Sequence, residues 1–75
     1  MAMQYAYNYA YIDVSTNMCI QVDSTTTQCP TGIVESGNLC VEIPVNDPEY
    51  CCKYYIDGNW YEDAEGTIPW TSALL

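Results

Sequence analysis

The chain has 75 residues, 49% of them hydrophobic, and ten acidic groups against one lysine give it a formal charge of −9. That length allows one small domain, and that field repels phosphate backbones and anionic lipid, so neither nucleic acid nor membrane is expected as a partner. With no histidine and no arginine the chain lacks the usual acid–base group and the usual clamp for anionic substrates, which points to a non-enzymatic structural or binding protein without cofactor or metal.

Tyrosine occupies every second position from Tyr5 to Tyr11. This period-2 alternation predicts a strand with Tyr5, Tyr7, Tyr9 and Tyr11 on one face. Turn chemistry over 13–17 then leads to a second alternating run, with Met18, Ile20 and Val22 inward, so the two segments read as a hairpin. A polar stretch over 24–28 ends at Cys29-Pro30-Thr31-Gly32, where proline and glycine mark a loop. After a short apolar segment at 33–35, Ser36-Gly37-Asn38 turns the chain. Leu39, Val41 and Ile43 then face inward, Cys40 and Glu42 face outward, and Pro44 and Asn46-Asp47-Pro48 end the run.

Residues 53–62 carry the strongest local signal. Asp57-Gly58 lies between two aromatic runs, as in a two-residue type I′ hairpin. The register then sets Ile56 opposite Asn59, Tyr55 opposite Trp60, Tyr54 opposite Tyr61 and Lys53 opposite Glu62. The two aromatic pairs and the opposite-charge pair contribute roughly 0.2–1 kcal/mol each. Residues 67–75 form an extended apolar tail. The expected architecture is all-β: one domain over 1–75, a small antiparallel meander of four to five short strands with the Asp-Gly hairpin at its C-terminal end, stapled by disulfides.

Five cysteines follow one another at intervals of 10, 11, 11 and 1. Zinc would need paired ligands on a tight turn, and a nucleophilic cysteine would need a base; the sequence offers neither. Cys19, Cys29, Cys40, Cys51 and Cys52 are therefore disulfide candidates in a chain too small for a large core. Cys19 and Cys40 share outward parity and are the expected cross-sheet pair. Cys29 would reach Cys51 or Cys52, with one thiol left over. Reduced thiols packed as small hydrophobes are the alternative. This cysteine density belongs to oxidising surroundings, yet the first residues lack the basic and aliphatic regions of a secretory signal. A virus particle released by lysis reconciles the two.

The carboxylates Asp57, Glu62, Asp63 and Glu65 read as solvated. They match neither an EF-hand loop nor a glycosidase pair flanking a cleft. Eight tyrosines and two tryptophans exceed what one thin sheet covers. The tyrosine face together with Trp70, Leu74 and Leu75 is therefore the expected contact surface, with Trp70 as its anchor.

The layout resembles that of small tailed-bacteriophage virion proteins. The resemblance spans about 4–62 and rests on Tyr11-Ile12-Asp13, Asn17-x-Cys19, Val41-Glu42-Ile43-Pro44, Asp47-Pro48 and Lys53-Tyr54-Tyr55-x-x-Gly58-Asn59-Trp60. The extra cysteines and the apolar tail depart from the pattern. The resemblance implies a virion component made in the host cytoplasm and carried on the outer surface of the particle. Its partner would be the major capsid protein, another virion protein or further copies of itself. The favoured role is a capsid decoration (cement) protein. A tail or fibre accessory module and a secreted-type disulfide-rich binding or inhibitor domain are the alternatives.

Overall fold

The computed structural model describes residues 7–75, so Tyr5 lies outside the described residues. Six strands form one antiparallel sheet: β1 (Tyr7–Asp13), β2 (Met18–Thr25), β3 (Val34–Glu35), β4 (Asn38–Ile43), β5 (Tyr54–Ile56) and β6 (Asn59–Tyr61). The helical content among the described residues is one short 3₁₀ turn, Pro48–Tyr50. The all-β class is as expected. The strand count rises to six because residues 34–35 pair with β4 as a strand of their own.

The strand order is β3-β4-β1-β2-β5-β6, not that of a plain meander. β1 sits between β2 and β4, so the chain must cross the sheet twice. Residues 26–33 carry it from β2 to the far edge, and residues 44–53 bring it back from β4 to β2. Each crossing covers one face. These connections supply the second layer that a sheet needs in order to have a core, and the molecule is only 16 Å thick.

Register divides the side chains between the two faces, since paired residues on neighbouring strands point the same way. Ala10 lies opposite Val22 and Val41, Ile12 opposite Cys19 and Leu39, and Asn8 opposite Ile43. These form the face covered by 44–53, where Ala10, Ile12, Cys19, Ile43 and Tyr50 are buried together. Tyr9 and Tyr11 lie on the other face, Tyr9 with Asp23 and Glu42, and Tyr11 with Gln21 and Cys40.

A bulge corrects the expected inward set of β2. Tyr11 pairs with Gln21 and Ile12 with Cys19, which leaves Ile20 as the extra residue. The slip turns Cys19 into the core, where it is 1% exposed, and releases Ile20 to 46%. Val22 stays inward, while Met18 is half-buried opposite Asp13 and Tyr54.

The C-terminal hairpin forms in the expected register, with Tyr54 opposite Tyr61, Tyr55 opposite Trp60 and Ile56 opposite Asn59. Asp57 and Gly58 have φ of 51° and 83°, the two left-handed positions a type I′ turn requires. The Tyr55 and Trp60 ring centroids are 5.0 Å apart, and Lys53 Nζ lies 3.5 Å from Glu62 Oε1. β5 joins β2 through a G1-type bulge. The Cys52 N–H donates to the Cys19 carbonyl (3.0 Å) and the Cys19 N–H donates to the Lys53 carbonyl (2.8 Å). Cys52 stands at φ 75°, where this bulge normally has glycine.

The tail is anchored to the fold and ends in a turn, where the Leu75 N–H donates to the Ser72 carbonyl (3.3 Å). The Glu62 N–H donates to the Ile68 carbonyl (2.8 Å), the Trp70 N–H to the Trp60 carbonyl (3.0 Å), and Tyr61 bridges Pro69. Asp63 closes the preceding turn by accepting from the backbone N–H groups of Thr67 and Ile68 (2.9 Å each). The Thr67 hydroxyl, which also donates to this carboxylate, and then these backbone bonds hold its carboxyl below the usual carboxylate range. Further along, the buried Ser72 hydroxyl donates to buried Asp47, which also caps the 3₁₀ turn by accepting from the Glu49 N–H.

Candidate functional site

The first candidate surface is the tyrosine face, where residues 26–33 cross it. Tyr9 is completely buried there, and its hydroxyl accepts the Cys29 N–H (2.7 Å). Tyr9 is thus spent on holding the protein's own loop and has no surface to offer a partner. Tyr7 and Tyr11 are half-buried. Beyond Tyr9 the loop leaves an open cavity of about 500 Å³, lined by Tyr11, Ile20, Cys29, Pro30, Ile33 and Cys40 among others. Burial, followed by the charges of neighbouring Cys40 and Asp23, pushes the Tyr11 phenol above its ordinary value. The walls offer thiols, a phenol, apolar surface and the polar side chains of Gln21, Glu35, Ser36 and Asn38, a set suited to contact and to thiol exchange.

All five cysteines are free thiols. The expected Cys19–Cys40 pair is ruled out by the β2 bulge. Cys19 shares a face with Ile12 and Leu39, Cys40 shares the opposite face with Tyr11, and the sheet stands between them. Cys29 is bonded to neither Cys51 nor Cys52: it sits on the crossing over Tyr9, whereas residues 52–53 pair with Cys19 at the edge of β2. The structure groups the thiols differently. Cys29 and Cys40 share the cavity wall. Cys51 acts on Cys19, whose thiol is pushed up to about 11, first by burial and then, more weakly, by a charge on Cys51. Cys52 is exposed.

The second candidate surface is the aromatic corner and tail. Tyr50 is the buried keystone, its ring edge-on to both Trp60 and Trp70 with centroids 4.8 Å away in each case. Lys53 Nζ stands 5.3 Å from the Trp70 ring centroid. Trp70, the expected anchor of a contact surface, is half-buried and packs against Tyr50 of the protein's own fold. The chain's one cation serves Trp70 and Glu62 together, which leaves the acidic surface almost without internal neutralisation. Leu74 and Leu75, at 61% and 66%, are the most exposed large apolar residues of the described chain.

Reasoning from the sequence missed Tyr50, Asp47 and Ser72. Asp47-Pro48 was legible as a cap, since an N-cap aspartate followed by proline at N1 starts a helical turn. Nothing in the local pattern could pair Asp47 with Ser72. Comparisons with protein-family models, with curated proteins and with solved structures find no match for this chain.

Proposed function

We propose that this chain is a non-enzymatic structural protein of a phage virion, a capsid decoration protein held on the outer shell by contacts with the major capsid protein and with further copies of itself. The observation that carries this reading is the distribution of exposed apolar residues. Ile33 and Val34 stand at the β3 edge, with Val14 tied to the neighbouring turn through its N–H bond to Gly37; Ile68 stands at the opposite edge, next to the Tyr61–Pro69 bridge, while Leu74 and Leu75 follow Ser72, which is bonded to Asp47 on the return crossing. A monomer that offers apolar contacts at both ends of its sheet is suited to bridging two neighbours, as a cement subunit must. The acidic remainder keeps copies soluble and favours a basic docking surface. Disulfide stapling in an oxidising medium belongs to the same proposal, because a thin domain loses little stability to solvent when its crossings are clipped to the sheet.

The direct test is to quantify the chain in gradient-purified particles of the phage that encodes it, by mass spectrometry against the major capsid protein. Copy numbers comparable with capsid subunits support decoration. A few copies per particle would move the chain to the tail or fibre. Absence from particles would overturn the virion reading.

A further inference from the structure

The crossing at 26–33 is fastened to the sheet at two points. Near its middle, the Cys29 N–H donates to the buried Tyr9 hydroxyl (2.7 Å); at its end, the Gly32 N–H donates to the Cys40 carbonyl (2.8 Å). Cys29 and Cys40 are thus brought into one cavity by a span of three residues whose far end already touches Cys40, and both are partly open to solvent. Tyr11, in register with Cys40, forms the floor beside them. The Cys29 side chain has only weak local partners, Thr25 Oγ1 at 4.0 Å and the Thr27 carbonyl at 3.8 Å, so nothing strong holds its sulfur away from Cys40.

We infer that Cys29 and Cys40 form a redox clasp, a reversible disulfide that locks the 26–33 crossing onto the tyrosine face and narrows the cavity beneath it. A small disulfide such as oxidised glutathione is the oxidant. The Cys29 thiolate attacks one glutathione sulfur, which forms a mixed disulfide and releases one glutathione thiol. The Cys40 thiolate then attacks the Cys29 sulfur and releases the second. The protein gives up two protons and two electrons, and the oxidised glutathione is reduced to two thiols. Burial, and then a charge on Cys29, pushes the Cys40 thiol above its ordinary value, so Cys40 supplies less thiolate at neutral pH and resolves the mixed disulfide rather than opening the exchange. Cys19 has the stronger shift and is buried, so it stays out of the exchange at neutral pH. The inference stands on the geometry of the loop, independent of where the protein resides.

The test is to incubate the reduced, folded protein with oxidised glutathione at neutral pH, quench with an alkylating agent, and map peptic peptides at low pH. The expected result is a product that is lighter than the reduced chain by about 2 Da before the quench; after it, one peptide pair links Cys29 to Cys40 and the other three thiols are alkylated. In urea the same treatment should scatter the links, since the pairing comes from the fold. Cys52→Ser should leave the link intact, and Cys40→Ser should leave Cys29 as a stable mixed disulfide with glutathione. Cleavage within 26–33 by a non-specific protease should be slower in the oxidised protein than in the reduced one. A wild-type map that joins Cys29 to Cys51 or Cys52, or that shows a persistent glutathione adduct at Cys29, would overturn the inference without recourse to any variant.

Discussion

Tyr50 is the side chain on which three parts of the molecule converge, and replacing it by alanine is the sharpest test of the fold. It sits on the return crossing, 2% exposed, packed on the β1–β2 core and edge-on to Trp60 of β6 and Trp70 of the tail. Large-to-small replacement of a buried aromatic costs roughly 3–5 kcal/mol. Each edge-on pair is worth about 0.5–1.5 kcal/mol beyond area, which places Tyr50→Ala in the upper part of that range. A core of this size supplies roughly 3–5 kcal/mol in all, so the reduced variant should be largely unfolded without denaturant. Tyr50→Phe keeps the ring and both pairs and should lose less than about 1 kcal/mol. Urea titration followed by tryptophan fluorescence and near-UV circular dichroism reads both; a refolding titration with trimethylamine N-oxide brings the alanine variant into range. If Tyr50→Ala lost under about 1 kcal/mol, or Tyr50→Phe lost as much as Tyr50→Ala, the ring would not join these elements and the argument would fail.

Cys52→Gly should raise stability by about 1 kcal/mol in reducing buffer, because the G1 bulge holds Cys52 at φ 75° and glycine adopts that conformation without strain; an unchanged urea midpoint would count against the bulge. Gly66→Ala should cost more than Gly37→Ala. Both glycines have positive φ, but only at Gly66 would the new Cβ meet a neighbour, Ile56 Cδ1 at 3.2 Å. Stability should fall as pH climbs from 9 towards 11: the folded Cys19 thiol is raised to about 11 from 9.0, so it favours the native state below the unfolded value and that contribution is lost as the folded group ionises. Burial and the Asp47 charge shift Tyr50 in the same direction. Cys19→Ala should flatten the lower part of that alkaline slope. Attachment to particles should weaken with added salt if the partner surface is basic, and salt-independent attachment would transfer the weight to the apolar edges.

The parts of the fold that were legible in the sequence are those fixed by contacts a few residues apart. Asp57-Gly58 dictates a turn whose two left-handed residues leave one register, and Tyr55 meets Trp60 accordingly. Alternation in 39–43 likewise put Leu39, Val41 and Ile43 on the core face. Strand order was not legible, because the loop at 26–33 is equally consistent with a return to β2 and with a crossing to a new edge. Tyr9 decides between these only in three dimensions, by burying its ring beneath the crossing and giving its hydroxyl to Cys29. A tyrosine at period 2 signals a face, not what covers it. Trp70 illustrates the same limit, since its partner Tyr50 is 20 residues away and belongs to neither hairpin.

The cysteine pairing turns on a single extra residue. Without the bulge at Ile20, β2 would continue its alternation past Gln21, Cys19 would emerge on the tyrosine face, and a bridge towards Cys40 would have only β1 to span. A one-residue slip moves every later side chain to the other face, and here it sends Cys19 into the core beside Cys51 and leaves Cys40 facing the loop. The sheet thereby separates Cys19, with Cys51 beside it, from Cys29 and Cys40 in the cavity, while Cys52 is exposed. A sheet this thin needs cover on both faces, and each crossing that supplies the cover carries cysteine: Cys29 on one, Cys51 and Cys52 on the other. The regular spacing of the cysteines thus records how much chain one strand and one crossing consume, while the face each thiol meets depends on a backbone irregularity that no spacing reveals.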